Sequence, residues 1–364
     1  MTRSRARVGW YVHHQGAGHT NRFLAISRQL DADVVIFSSA PRPFELAPDV
    51  EWVLLARDDS VETDARGRSD PRLNDPSARG LLHWAPLRHR GHASRLASIA
   101  HRVESDHFDA FVVDVSAEVA LLVRLLGVPT VIVAQPGERT DRAHRLAVDA
   151  AEAIVAPWPG ALYRPAWLER AGESVRYVGG VARFEGRERS FLPAPNTVLL
   201  IAGAGGSAVN PEAVAAAVAA TPQFDWQTLG LPDSPHPVDI ARQTPESTVA
   251  QHAHDPAWLT DPYDTLCRAT VVVSWAGQNA ITDLAAVTAR AVVIAQPRPF
   301  HEQSTTARIL ARTHLAVARP HWPATEEWPE LLAEAARLEP DWSLWQIDGA
   351  AYRAARVIEE VAAA

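Results

Sequence analysis

The chain has 364 residues, long for one open sheet and comfortable for two domains. A 47% hydrophobic share supports ordinary cores, and a net charge of −8 excludes a general nucleic-acid binder, which would carry a basic balance. The one cysteine, Cys267, excludes an internal disulfide and points to a reducing, cytoplasmic setting, and the apolar run behind Arg3, Arg5 and Arg7 stops at His13-His14, too short for a signal segment or a membrane span.

Residues 7–12 (RVGWYV) predict a strand, 13–20 (HHQGAGHT) a glycine turn, 21–30 a helix and 33–37 (DVVIF) a second strand. This is a βαβ unit. Its turn, with Gly16 and Gly18, lets a ligand approach backbone at a helix N-terminus. It lacks the full G-x-G-x-x-G spacing and no acidic residue ends the second strand, so it does not carry the dinucleotide fingerprint. A third strand is expected at 50–55. Residues 57–85 form a polar stretch long enough to be functional or disordered, and it is expected to decide acceptor choice. Asp58 and Asp59 lie in it without an identifiable partner. A helix over 81–102 carries His83, Trp84, Arg88, His89 and Arg90, which suit a covered surface helix, or contact with a membrane surface or an acceptor. A strand at 109–113 ends on Asp114. A helix at 117–126 closes at Gly127. The strand at 130–134 leads into Gln135–Arg139, with Glu138, and a helix at 142–151 and strand at 153–156 follow.

Residues 179–195 break this rhythm with Gly, Pro and charge. The expected organisation is an N-terminal domain (1–180), a linker (181–195), a C-terminal domain (196–345) and a C-terminal helix (346–364) able to pack back on the first domain. In the second domain, 197–201 is a strand, 203–207 (GAGGS) a glycine turn, 211–220 a helix and 224–229 a strand, with another strand at 248–251 and a short helix at 264–268. A strand at 270–274 ends on Ser274. A turn at 275–277, a helix at 278–289, a strand at 291–295 and a polar loop with His301, Glu302 and Gln303 follow, and then a helix at 308–312. The fold class is α/β: two Rossmann-like domains facing each other across a cleft.

Six stretches resemble glycosyltransferases of the GT-B fold, in the branch of the bacterial peptidoglycan N-acetylglucosaminyltransferase (glycosyltransferase family 28-like). GAGHT at 16–20 resembles the family's first glycine loop ending in a histidine. AQPGERTDRAHRLA at 134–147 is similar to its second loop and helix, and YVGGVARFE at 177–185 to its domain-closing segment, with Arg183 at the arginine. GAGGSA at 203–208 resembles the Gly-Gly-Ser phosphate loop. SWAGQNAITDLAA at 274–286 resembles the nucleotide helix, with Asp283 at a ribose-binding glutamate, and HEQSTTARIL at 301–310 the donor-sugar loop, with Gln303 at its glutamine. The six occur in the family's order over most of the chain. The first loop has one glycine fewer, Arg22 stands at a usual proline, Asp283 is one methylene short, and His301 replaces a commoner charged or polar residue. The family's acceptor is not carried over.

The resemblance implies an inverting, single-displacement transfer from a nucleotide diphosphate sugar, UDP-linked, to an acceptor hydroxyl. Gly205, Gly206 and Ser207, with Ser274, Gly277 and Gln278, would supply donors to the diphosphate, and Arg183 a cation. Asp283, about two helical turns past Gly277, could accept from both ribose hydroxyls. Glu302 and Gln303 could bond the sugar. His19 is the expected general base, and Gly16, Gly18, Asp114 and Glu138 the acceptor side. No Asp-x-Asp stands on a strand-end loop, so no metal or other cofactor is implied. His13 and His14 lack a third ligand at metal spacing. The expected partners are the donor and an acceptor, with no nucleic acid and at most peripheral membrane contact. Two rivals are a nucleotide-sugar 2-epimerase of the same fold, which needs carboxylates around the sugar, and a non-catalytic nucleotide-sugar-binding subunit.

Overall fold

The computed structural model describes residues 5–64, 67–189, 191–203, 209–231, 259 and 261–364. The chain divides into two units, Met1–Val181 with Gly349–Ala364, and Ala182–Asp348.

The first unit alternates strand and helix: β1 Ala6–Val12, α1 Gly18–Ser27, β2 Ala32–Ser38, β3 Glu51–Leu54, the small β4 Glu62–Asp64 and β5 Gly67–Ser69, α2 Arg90–Asp106, β6 Ala110–Asp114, α3 Ala117–Leu125, β7 Thr130–Val133, α4 Arg142–Ala150, β8 Ala153–Ala156, α5 Ala166–Glu169 and β9 Val175–Tyr177. Seven strands pair in parallel in the order β3-β2-β1-β6-β7-β8-β9, and β4 and β5 form a separate antiparallel pair. The second unit holds β10 Thr197–Ile201, α6 Pro211–Ala220, β11 Asp225–Leu229, α7 Tyr263–Arg268, β12 Val271–Trp275, α8 Gln278–Ala286, β13 Ala291–Ile294, α9 Glu302–Arg312, β14 Val317–Arg319 and α10 Trp328–Arg337. Its five parallel strands run β11-β10-β12-β13-β14. The last helix, α11 Ala350–Ala362, belongs to the first unit.

Parallel strands covered on both faces should be continuously apolar, as the central strands β6, β12 and β13 nearly are. Val8, Trp10 and Val12 bury on one face of the first sheet with Phe23, Ile26 and Ile36. Tyr11, Val35, Phe37, Phe111 and Val113 bury on the other with Ile99. Ala350, Ala354 and Ile358, one face of α11, complete the first cluster. Gly9 is required inside β1: a Cβ there would lie 2.3 Å from the Phe111 ring. In the second unit, Val198, Leu200, Val271, Val273 and Ile294 pack against Trp226, Trp328 and Leu331.

Three helix starts differ from the sequence reading. The first helix begins at Gly18, not 21, so His19 lies inside it. The helix expected over 81–102 begins at Arg90, because Arg88 is left-handed (φ +60) and His89 is extended, its ring accepting from His92 N as the cap. Glu302 and Gln303 lie in the first turn of α9 rather than in a loop. The helix expected to 289 ends at Ala286, before a left-handed Thr288 (φ +49). The strand expected at 248–251 lies outside the described residues. Among the described residues, no helix is long and apolar enough to cross a membrane.

Candidate active site

β1 and β6 are neighbours where the strand order of the first sheet reverses, and Val12 is in register with Asp114 at their carboxyl ends. Open α/β sheets hold ligands at such switch points. α1 follows a left-handed Gly16 (φ +75), so its first turns carry His19 and Arg22, three residues apart on one face. Arg22 is 4% and Asp114 0% exposed. Arg22 donates from Nη2 to Asp114 Oδ1 at 2.6 Å and from Nε to Oδ2 at 3.2 Å. His19 Nδ1 lies 3.0 Å from Asp114 Oδ1 and 3.2 Å from Arg22 Nη2.

A guanidinium only donates, and Arg22 is aimed at the carboxylate. His19 Nδ1–H therefore donates to Asp114, which leaves the lone pair on Nε2. Burial raises the Asp114 carboxyl, but Arg22 and His19 outweigh it and hold it down to about 2. It is an anion at neutral pH. Asp114 was expected to meet an acceptor. It is enclosed instead, and its two oxygens are taken by His19 and Arg22.

The His13 ring stacks on His14, with centroids 4.9 Å apart and planes 9° off parallel, and lies 5.4 Å from that of His19. Burial first, then His19 and His14, lowers His13 to about 3, so it is neutral. His13 joins no such group among the described residues, but His14, Asp58 and Asp59 offer ligand atoms within 4.8 Å of one another. Their charges are already compensated, however. Arg95 pairs with Asp58, and Arg57 bonds Asp59 at 2.9 and 2.6 Å. The cluster is wired as ion pairs rather than as a metal cage.

The polar stretch after Arg57 is ordered by the helix N-termini it crosses. Glu62 accepts from Arg90 N and Gly91 N, two of the unsatisfied donors of α2. Gly91 permits this approach, since a Cβ there would lie 2.0 Å from Arg57 O. Glu118, in the first turn of α3, accepts from His83 N and Trp84 N at 2.7 and 2.9 Å. A directed chain then follows. Arg139 Nη1 donates to His144 Nε2 (3.0 Å), His144 Nδ1 to Asp141 Oδ2 (2.5 Å), and His83 Nε2 to Asp141 Oδ1 (2.9 Å). Burial holds His144 neutral, at about 4, as its acceptor role demands. His83, Asp141 and His144 also lie within metal-holding distance, but this wiring leaves His144 no lone pair on the side of Asp141. Glu138 is exposed on the same loop.

In the second unit the strand order reverses between β10 and β12. Gly203 follows β10, and Gly205, Gly206 and Ser207 lie outside the described residues. Ser274 is 1% exposed, and its hydroxyl donates to Trp275 O, so it closes β12 internally rather than facing a nucleotide. Gly277, with no side chain to cap, is the N-cap of α8, and Gln278 is its first residue. Gln303 is 7% exposed. Its Oε1 accepts from Gln296 N at 2.9 Å, and its Nε2 would lie 3.9 Å from a Cβ at Gly277. It thus ties the loop after β13 to the first turn of α9, with its amide nitrogen near the start of α8. Phe300 and His301, both left-handed (φ +60 and +55), set the entry to α9, which carries Glu302. Asp283 is 6% exposed, not a solvated helix charge, and is held by Arg183 through Nε (3.2 Å) and Nη2 (2.8 Å). Burial raises its carboxyl even against this arginine.

No protein-family profile and no curated protein matches the chain. Solved structures do. MurG of Acinetobacter baumannii is similar over 98% of this chain and 99% of its own, with TM-score 0.61 at 15% identity. The glycotransferase of kitacinnamycin gives 0.61 at 14%, over 98% and 99%, and the spinosyn forosaminyltransferase SpnP gives 0.60 at 11%, over 99% and 100%. The fold is GT-B.

Within this GT-B fold, the sequence offered His19 as a candidate base but not its arrangement with Arg22 and Asp114. Arg22 entered as a departure from a proline, yet it fills the space beside Asp114 with a countercharge. The legible signal was an arginine three residues after a histidine at a predicted helix start. The carboxylate it needs is 92 residues away, where no spacing rule reaches.

Proposed function

We propose that the chain is an inverting, metal-independent glycosyltransferase that moves a sugar from a nucleotide diphosphate sugar, UDP-linked by resemblance, to an acceptor hydroxyl. The observation that carries this is the His19–Asp114 hydrogen bond at the switch point of the first sheet. His19 Nε2 takes the acceptor proton, and Asp114 stabilises the imidazolium that forms. The acceptor oxygen attacks the anomeric carbon opposite the leaving diphosphate, which inverts that centre. The leaving charge falls to backbone N–H groups at the start of α8, with Gln303 Nε2 near them. Fixed donors of this kind supply what a metal would, and no Asp-x-Asp stands on a strand-end loop to hold one. Structural neighbours that include a glycotransferase and a forosaminyltransferase support the activity class.

The epimerase reading needs carboxylates around the sugar. Asp114 is enclosed and Asp283 is paired with Arg183, so neither favours it. A cytoplasmic setting, with the free and buried Cys267, belongs to the same proposal. A thermal-shift panel of UDP, TDP and GDP with their sugars tests the donor class. A ligand at 100 times its Kd should stabilise the native protein by about 2.7 kcal/mol, a clear rise in Tm. No shift with any nucleoside diphosphate contradicts the proposal.

A further inference from the structure

We propose that the Arg183–Asp283 pair makes the donor site indifferent to the ribose hydroxyls, so that ribo- and 2′-deoxyribonucleoside diphosphates bind it alike. This rests on the reading of α8 as the helix that receives the donor nucleotide.

A free carboxylate at position 283 would accept from both ribose hydroxyls and select the ribonucleotide. The structure places that carboxylate elsewhere in the hydrogen-bond economy. Arg183 Nε bonds Oδ1 at 3.2 Å and Nη2 bonds Oδ2 at 2.8 Å, the two-point pairing that a planar guanidinium makes with a carboxylate. Asp283 is 6% exposed, so its carboxylate is shielded from competing water, while Arg183 is a quarter exposed. The arginine is fixed in turn. Its guanidinium lies 4.5 Å from the centroid of Phe184, which packs edge-on against the fully buried Tyr263 at 5.2 Å. Arg187 covers the other partner of this stack, 4.2 Å from the Tyr263 ring, and its carbonyl accepts the Tyr263 hydroxyl at 2.6 Å.

Opening a buried ion pair costs more than two neutral hydroxyls return to the freed carboxylate. Asp283 is also one methylene shorter than a glutamate, so it cannot hold Arg183 and reach outward together. The side chain at the ribose position is therefore internal to the fold, and the nucleotide is held by its base and phosphates.

Titration calorimetry with UDP and 2′-deoxy-UDP tests this directly. The wild-type Kd values should agree within about threefold. In Arg183→Ala the released Asp283 should favour UDP by about tenfold or more, the worth of one hydrogen bond to a carboxylate. The comparison is made within one variant, so a general loss of phosphate affinity cancels. Asp283→Asn, a change of one atom, should keep the wild-type ratio. A wild-type preference for UDP of tenfold or more overturns the inference, whether or not Asp283→Asn removes it, while the donor reading stands. Absence of binding by both nucleotides overturns the donor reading, and the inference falls with it.

Discussion

Asp114→Asn should lower sugar transfer by about three to four powers of ten while the protein still folds and binds nucleotide. The substitution keeps the shape but offers an amide where His19 Nδ1–H and Arg22 both donate to a carboxylate. An amide nitrogen facing His19 favours the tautomer with its lone pair on Nδ1, which protonates the nitrogen meant for the acceptor. No developing imidazolium is then stabilised. Asp114→Ala should do more damage, because Arg22, 4% exposed, loses the carboxylate that compensates its buried charge. Breaking one side of a buried pair costs about 3–5 kcal/mol. Replacing Arg22 and Asp114 together by apolar residues should recover most of that stability and none of the activity. Urea unfolding and donor turnover, measured on the same three variants, separate the two roles. Equal turnover by wild type and Asp114→Asn would remove Asp114 from the mechanism.

The second large effect is on stability in mild acid. His13 and His144 are lowered from the ordinary histidine value to about 3 and about 4, each chiefly by burial. Between those values and the unfolded value near 6.5, the unfolded chain binds protons that the folded chain refuses. Stability therefore rises with pH through this window and is lost as pH falls from 6.5. Each histidine contributes a slope of about 1.4 kcal/mol per pH unit, so the two together should cost about 4 kcal/mol between pH 7 and pH 5. His14, lowered mainly by burial, acts in the same direction. Asp114, held to about 2, adds its loss only below about 4, and Asp283, raised by burial, opposes the trend in the acid range. Urea unfolding at pH 7, 6 and 5 measures the slope, and His144→Gln should remove close to half of it. A flat profile from 7 to 5 would mean that these rings are not held neutral.

The alternation of strand and helix was legible because buried parallel strands are written as short β-branched runs, as in Val271–Trp275, and because turns between them carry Gly. His19 and the stretch around Gly277, Asp283 and Gln303 entered as candidates through local pattern and resemblance. What escaped was every relation that depends on distant pairing. Asp114 could be seen to end a strand, but not that Arg22 would enclose it. Asp283 resembled a ribose contact, and only the fold brings Arg183, 100 residues earlier, onto both its oxygens. The polar stretch after Arg57 looked unstructured because it has no hydrophobic period. Its order comes from capping, with Glu62 on the start of α2 and Glu118 holding His83 and Trp84. Such bonds need few residues and leave no repeat in the sequence.

The most direct test of the account is single-turnover release of UDP from bound donor, with water or an added alcohol as acceptor, in wild type and in His19→Ala. The rate should fall by about two to four powers of ten with the Kd for UDP unchanged within about twofold. An unchanged rate, with UDP still bound, would contradict the assignment of His19 as the base.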